Sequence, residues 1–199
     1  MRIEAGKYKG RVLLSPPAGS ITRPITARAK KSLFAMLADW MPDGVVADLY
    51  CGTGSMGIEA LSRGARLAAF AEKDRRVLAN LRKNIETIGA TDDCRIWPGD
   101  VTRGLARRLD ELGSLLDVAF LDPPYAALRK WDWPASERML FAPVAAHLAD
   151  DGVVVLRLPN DAALPEGVAK AEEIALAGLA CKRVKTFGDM VIAILGRAG

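Results

Sequence analysis

The chain is poor in the residues that most often carry acid–base and metal chemistry. It holds one histidine, His147, in 199 residues. Nucleophilic catalysis of the Ser/His or Cys/His kind therefore has a single imidazole to draw on, and His147 closes an apolar helical pattern, a structural position. The three cysteines, Cys51, Cys94 and Cys181, are odd in number and far apart. They give neither a metal-ligand spacing nor a disulfide framework, so no metal is expected. No apolar run approaches the roughly 18 residues of a membrane span, and residues 1–7 contain no signal-peptide core. A cytoplasmic protein without membrane contact is expected, as a monomer. With half its residues hydrophobic and 26% charged, the chain reads as globular. Its length suits one domain, or one domain with a small appendage.

Charge is distributed unevenly. The net charge is +4, yet residues 1–31 alone carry eight Lys or Arg against Glu4. The rest of the chain is therefore close to neutral. Clustered cations attract phosphates and release counterions, which points to a nucleic-acid partner. Lys7, Lys9, Arg11, Arg23 and Arg28 are candidate contacts. Tyr8 lies among them, placed either to stack on a base or to pack.

Periodicity orders the remainder. Residues 2–5 and 10–14 read as a short hairpin, and Thr26 caps a helix over 27–40. Pro42-Asp43-Gly44 then breaks the chain. Strands are expected at 45–50, 67–72, 95–98, 118–122 and 153–158, with helices at 55–63, 75–88, 101–112 and 136–148 between them. Such alternation predicts a doubly wound, mostly parallel α/β sheet. Residues 180–186 and 190–195 flank Phe187-Gly188-Asp189 and close it as an antiparallel hairpin. The division expected is an N-terminal hairpin and helix at 1–43 and a main domain at 44–199.

Two strand ends carry the chemistry. After the first strand, Gly52, Gly54 and Gly57 have the G-x-G-x-x-G spacing between a strand and a helix, the context in which it binds a nucleotide. Glu72, twenty residues beyond Gly52, is placed to hold ribose hydroxyls. Asp48 beside the loop would repel a pyrophosphate and suits the cationic amino acid end of S-adenosylmethionine, which favours that cofactor over a nicotinamide. Cys51 reads as a small residue in a tight turn. After the strand at 118–122 comes Asp122-Pro123-Pro124-Tyr125. Neither proline has an N–H to continue a sheet, so a carboxylate, a rigid corner and an aromatic ring arrive together at the edge where ligands bind. The set suits a planar exocyclic amine: Asp122 and a backbone carbonyl accept its two N–H bonds, and Tyr125 stacks on the base. Trp131 and Trp133 follow, placed either to stack on a substrate or to pack.

These blocks together resemble the bacterial 16S rRNA guanine-N2 methyltransferase family, the RsmD-like proteins. The resemblance runs through Gly6-Lys7-Tyr8-Lys9-Gly10-Arg11, Arg23-Pro24, Asp48-Leu49 with Cys51-Gly52-Thr53-Gly54, Glu59-Ala60-Leu61-Ser62-Arg63-Gly64-Ala65, Glu72-Lys73-Asp74, Gly99-Asp100 and Asp122-Pro123-Pro124-Tyr125. It departs at Ile25, Ala27 and Ala35, in the block expected to face RNA. It implies a Rossmann-like class I methyltransferase fold and S-adenosylmethionine as cofactor. The cofactor would be held around Asp48, Tyr50, Cys51, Gly52, Thr53, Gly54, Glu72, Lys73, Asp100 and Val101. The implied partner is 16S rRNA or the small ribosomal subunit particle. Two other functions fit the same residues: methylation of another base or amide, such as DNA adenine or a protein glutamine, and a non-catalytic rRNA-binding assembly factor. If the N-terminal cluster meets phosphates, neutralising Lys7, Lys9 and Arg11 together will weaken RNA binding and flatten its salt dependence. Filter binding across a salt series measures this, and an unchanged slope places the nucleic-acid surface elsewhere.

Overall fold

The computed structural model describes residues 1–19 and 25–199. The sheet is built on strands with little polar content: β1 (Val45–Leu49) is buried at all five residues. A strand buried on both faces belongs inside a parallel sheet. The neighbours of β1 are β2 (Leu67–Glu72) and β4 (Leu116–Leu121), with β3 (Cys94–Pro98) outside β2 and β5 (Leu148–Pro159) outside β4, all parallel. On the far side of β5 the chain turns antiparallel through β8 (Met190–Arg197), β7 (Leu179–Phe187) and the two-residue β6 (Ala175–Leu176). The full order is β3-β2-β1-β4-β5-β8-β7-β6.

Helices cover both faces. One core gathers Val46, Phe70, Phe120, Val155 and Ile192 under α1 (Ala27–Met36), α2 (Ser55–Ser62) and α3 (Arg75–Ile88). The other gathers Ala47, Leu121, Val154 and Leu156 under α4 (Leu105–Leu112), α5 (Tyr125–Leu128), α6 (Trp133–Ser136) and α7 (Ala142–Ala146). The two cores follow from the strand's period of two. Among the described residues no helix is long and apolar enough to cross a membrane.

The N-terminal segment shares the first core through Ile3, Tyr8 and Leu13. Its fastening is polar. Glu59 of α2, fully buried, accepts from the backbone N–H of Glu4 (2.9 Å) and Ala5 (3.1 Å) and pairs with Lys30 (3.1 Å) and Arg63 (2.8 Å). Lys30 Nζ also donates to the Arg2 carbonyl at 2.9 Å, so this cation of the basic cluster is an internal strut. Gly6 lies so close to α2 that a Cβ there would sit 1.6 Å from the Ser62 carbonyl oxygen. The buried Asn84 of α3 accepts from Leu14 N (2.7 Å) and donates to the carbonyls of Leu14 (3.3 Å) and Thr53 (3.0 Å).

Several elements differ from the sequence reading. The 2–5/10–14 hairpin pairs only as far as Ile3: Met1 and Leu13 exchange bonds (3.2 and 2.7 Å), Ile3 N donates to the Arg11 carbonyl (3.1 Å) and Gly10 N to the Ile3 carbonyl (2.9 Å), with Arg2 facing Val12, and beyond it Glu59 takes the N–H groups of Glu4 and Ala5. The first helix ends at Met36, and Ala38–Trp40 is a separate 3-10 turn. The helix expected from 101 starts at Leu105, after Gly104 in a left-handed conformation. The helix expected at 136–148 runs earlier and in three parts, α6, a π turn (Glu137–Phe141) and α7. Pro143 has no N–H for the preceding turn, and the wider π turn absorbs that loss.

Removing one partner from a buried ion pair strands the other charge, at a cost of about 3–5 kcal/mol. Glu59→Gln is therefore expected to destabilise the fold by about 3 kcal/mol and to speed hydrogen exchange at the Glu4 and Ala5 amides. Urea unfolding with amide-exchange mass spectrometry tests it; a loss below about 1 kcal/mol would mean that the segment is held by its apolar contacts alone.

Candidate active site

Strands β1 and β4 lie side by side, Leu49 opposite Leu121. From β1 the chain goes on to β2 and β3 on one side, then crosses to β4 on the other. The two loops at this reversal must part, which leaves a crevice beyond the strand ends. A hollow of about 270 Å³ lies there.

Its floor is the glycine loop. Tyr50 leaves β1 in a left-handed conformation (φ 67°) that a non-glycine residue adopts only under constraint. Gly52 follows at φ 56°, with open space where a Cβ would project. Gly57 serves packing: a Cβ there would meet the Phe70 ring at 2.4 Å, so only glycine lets α2 approach β2 this closely. Gly54, expected at the cofactor, instead turns toward Leu81, 2.5 Å from where its Cβ would be. The other expected cofactor residues, Asp48, Tyr50, Cys51, Gly52, Thr53, Glu72, Lys73, Asp100 and Val101, all line the hollow, and so do Asp122, Pro123, Pro124 and Tyr125.

The wall is acidic. Asp48 Oδ2 accepts from Gly57 N at 2.8 Å, tying the end of β1 to the first turn of α2. Burial pushes its carboxyl up to about 7, assisted by Asp122 and Glu72 nearby and opposed by the N–H groups of Gly57 and Met56. Burial likewise raises Asp122 to about 6 against the pull of the Arg157 guanidinium. Glu72 accepts from Gly52 N (3.1 Å), Lys73 N (2.8 Å) and Asp74 N (2.8 Å), which fixes its carboxylate at the rim. A carboxylate has about four lone-pair positions, so capacity for a hydroxyl remains. Asp100 closes a turn on Thr102, accepting from its N–H (2.9 Å) and hydroxyl (2.7 Å), and does not cap α4. Partial burial acts to raise its carboxyl, but the Thr102 bonds, Lys73 and Arg103 hold it below the ordinary value. Burial, with Asp48 and Glu72, pushes the Cys51 thiol well up, so it stays protonated and is no nucleophile.

Other residues of the hollow carried a weaker signal. Ser55 Oγ is buried with no hydrogen-bond partner among the described residues. Met1, Pro16 and Ile25 bring the N-terminal segment into the wall. Arg157 reaches Asp122 from β5, Nε to Oδ1 at 2.5 Å. Its signal in the sequence was a lone cation in the apolar run 153–158. A wall with four carboxylates, two of them raised by burial, together with an unpartnered hydroxyl, is a receptor for a cation with hydrogen-bonding groups. S-adenosylmethionine, with its sulfonium, ammonium and ribose, fits that donor set.

At two places the sequence left stacking and packing open, and the structure favours packing; for Tyr8 this replaces its place among the candidate RNA contacts. Tyr8 is 5% exposed. Lys7 Nζ and the Arg11 guanidinium lie 5.1 and 5.4 Å from its ring centre, so it packs and offers no stacking face. Trp133 is buried and donates to the Ala163 carbonyl at 2.9 Å, and Trp131 packs 5.0 Å from it, ring centre to ring centre. That pair fills the second core. Lys7, Lys9, Arg11 and Arg28 are exposed; Arg23 lies outside the described residues.

A mixed sheet with an antiparallel strand inserted after five parallel ones, and a cofactor hollow at its reversal, defines a class I methyltransferase that uses S-adenosylmethionine. The family model described as conserved hypothetical protein 95 matches residues 1–186. The chain belongs to this family, the RsmD-like group that its motifs resembled. It is 30% identical over 199 residues, the whole of both chains, to YlbH of Bacillus subtilis, a candidate rRNA methyltransferase. It is 35% identical over 125 residues to ribosomal RNA small subunit methyltransferase D of Escherichia coli, a match spanning 63% of this chain and 60% of that protein. The solved structure of yhhF from Escherichia coli, a methyltransferase candidate, superposes with a TM-score of 0.77 at 28% identity, covering 99% of this chain and 97% of that one.

Raised carboxyls make the site's stability depend on pH. Asp48 and Asp122 favour folding while protonated, and that contribution is lost as pH rises from about 4 toward 7. A bound cation restores it. S-adenosylmethionine should therefore raise the melting temperature more at pH 8 than at pH 6, and Asp48→Asn should narrow the difference. Thermal scans in both buffers decide; equal shifts in wild type would show that the ligand does not meet these carboxyls.

Proposed function

We propose that this chain transfers a methyl group from S-adenosylmethionine to the exocyclic N2 amine of a guanine in 16S rRNA. One observation carries the reading: the acidic hollow and the Asp122-Pro123-Pro124-Tyr125 corner open into each other, so a cationic donor and a planar amine meet at one point. The name of the Escherichia coli relative, a small-subunit rRNA methyltransferase, supports the substrate class. In this reading residues 1–43 are the RNA-facing extension and 44–199 the catalytic domain. Asp48, Glu72, Asp100 and the Gly52 backbone hold the cofactor.

Bound S-adenosylmethionine supplies a methyl group already activated by its positive sulfur. The chain's task is then to hold a nitrogen lone pair in line with that carbon. Asp122 accepts one amine N–H and the Pro123 carbonyl the other. Among the described residues no backbone N–H donates to the Pro123 carbonyl, whereas the Pro124 carbonyl is taken by Ala127 and Leu128 (2.8 and 3.1 Å). Accepting both hydrogens out of the base plane favours a pyramidal nitrogen. Tyr125, the first residue of α5, supplies a stacking face for a base drawn out of its helix or presented in a loop. No strong base is required, because the amine sheds its proton after alkylation. His147 agrees with this. It stands just before β5, at the opposite end of that strand from the site, with Nδ1 at 2.7 Å from the Pro143 carbonyl and Nε2 at 2.9 Å from Asp110.

Incubation with tritium-labelled S-adenosylmethionine and 16S rRNA, free and in assembled particles, should place label on guanine N2, mapped after nuclease digestion. Asp122→Ala should abolish transfer, with cofactor affinity staying within a few fold. Full activity in that variant, or label on another base, would overturn the assignment.

A further inference from the structure

Arg157 is the one arginine buried in the sheet interior among the described residues, at 9% exposure. It belongs to the same face as Val153 and Val155 of β5, and with Ile25, Leu33 and Ile192 it lines a narrow gap in which Asp122 is the other polar residue. Burying a guanidinium there is costly unless it is paired. Its pairing is specific: Nε meets Asp122 Oδ1 at 2.5 Å, and the guanidinium carbon stands 5.9 Å from the Tyr125 ring centre. It therefore touches two of the residues assigned to the target base.

Resting on the reading of Asp122 as acceptor for the substrate amine, we propose that Arg157 is a positioning residue of the reaction, holding Asp122 as an oriented carboxylate with Oδ1 committed and Oδ2 left for the incoming N–H. The reasoning is electrostatic and geometric. Among the described residues, the groups that face Asp122 are Asp48 from β1, Arg157 from β5 and Tyr125 from α5, with Glu72 from β2 beyond Asp48. Two of these four are acids, and a third, Tyr125, carries no charge in its ordinary form. Arg157 is thus the cation that opposes both burial and the neighbouring acids. Without it Asp122 would take up a proton, and a carboxylic acid presents an O–H where the amine needs an acceptor. The pairing also fixes rotation. Oδ1 bound to Nε sets the carboxyl plane, and the planar fork of arginine does this better than a lysine's point charge could.

The test reads Asp122 directly, in the free protein. Carbon-detected NMR of aspartate carboxyls, with Asp122→Asn to assign the signal, gives its titration in wild type and in Arg157→Gln. Loss of a cation at this distance should move the midpoint up by about one pH unit or more, with a smaller shift in Arg157→Lys. If Arg157→Gln does not fold, Arg157→Met keeps an unbranched apolar stem and serves in its place. In transfer assays the acid limb of the pH–rate profile should move up by the same amount, with kcat recovering toward pH 9 while the KM for rRNA changes little. An unshifted Asp122 midpoint, or a rate loss equal at every pH, would overturn the proposal. A wild-type protein that methylates no rRNA would sink the parent reading alone, since the NMR titration needs no substrate.

Discussion

Everything in the site descends from one constraint: two parallel neighbours, β1 and β4, end level with each other and must send their chains apart. Sheet hydrogen bonding fixes Leu49 opposite Leu121, and the backbone N–H of Asp122 still reaches the Leu49 carbonyl at 3.3 Å. The residues that follow are therefore side by side whatever their identity. One exit is made of glycines and a strained tyrosine, the other of two prolines. The first leaves room near the backbone; the second cannot bend back into the sheet. A cavity between a yielding loop and a rigid corner results, and the acids at its wall are held in it by burial.

The sheet was legible because its strands are short apolar runs bounded by glycine, proline and charge. β2 and α3 matched their predicted bounds residue for residue, since Leu67–Glu72 has no competing pattern and Asp74 caps α3 through its side chain. The hollow's place was legible because G-x-G-x-x-G and Asp-Pro-Pro-Tyr each demand a particular backbone, and both border it. What was hidden depended on contacts between distant segments. Nothing local in residues 2–14 shows that Glu59 will claim the amides of Glu4 and Ala5, so the hairpin's early stop at Ile3 was hidden. Tyr8 has the composition of an RNA contact and the burial of a core residue, which only tertiary packing decides. Gly54 looks equivalent to Gly52, yet one faces α3 and the other the hollow. Arg157 was passed over because periodicity treats a buried strand as apolar and has no place for a cation whose partner is 35 residues away.

The N-terminal segment is more than an appended basic arm. Its cations divide into two kinds. Lys30 is spent inside, bridging Glu59 and the Arg2 carbonyl, while Lys7, Lys9, Arg11 and Arg28 stay at the surface. Lys30 ties the segment to Glu59 of α2, so that the external cations stand at a set position relative to the hollow. Met1, Pro16 and Ile25 then complete the wall from the same segment.

Asn84 gives this arrangement a mechanical consequence. One carboxamide grips the backbone of Leu14 on one side and the Thr53 carbonyl of the glycine loop on the other. Removing that carboxamide would leave the Leu14 N–H and the Leu14 and Thr53 carbonyls without this partner at once, so arm and loop share one fastening. The glycine loop and the N-terminal arm are thereby joined through a single buried amide.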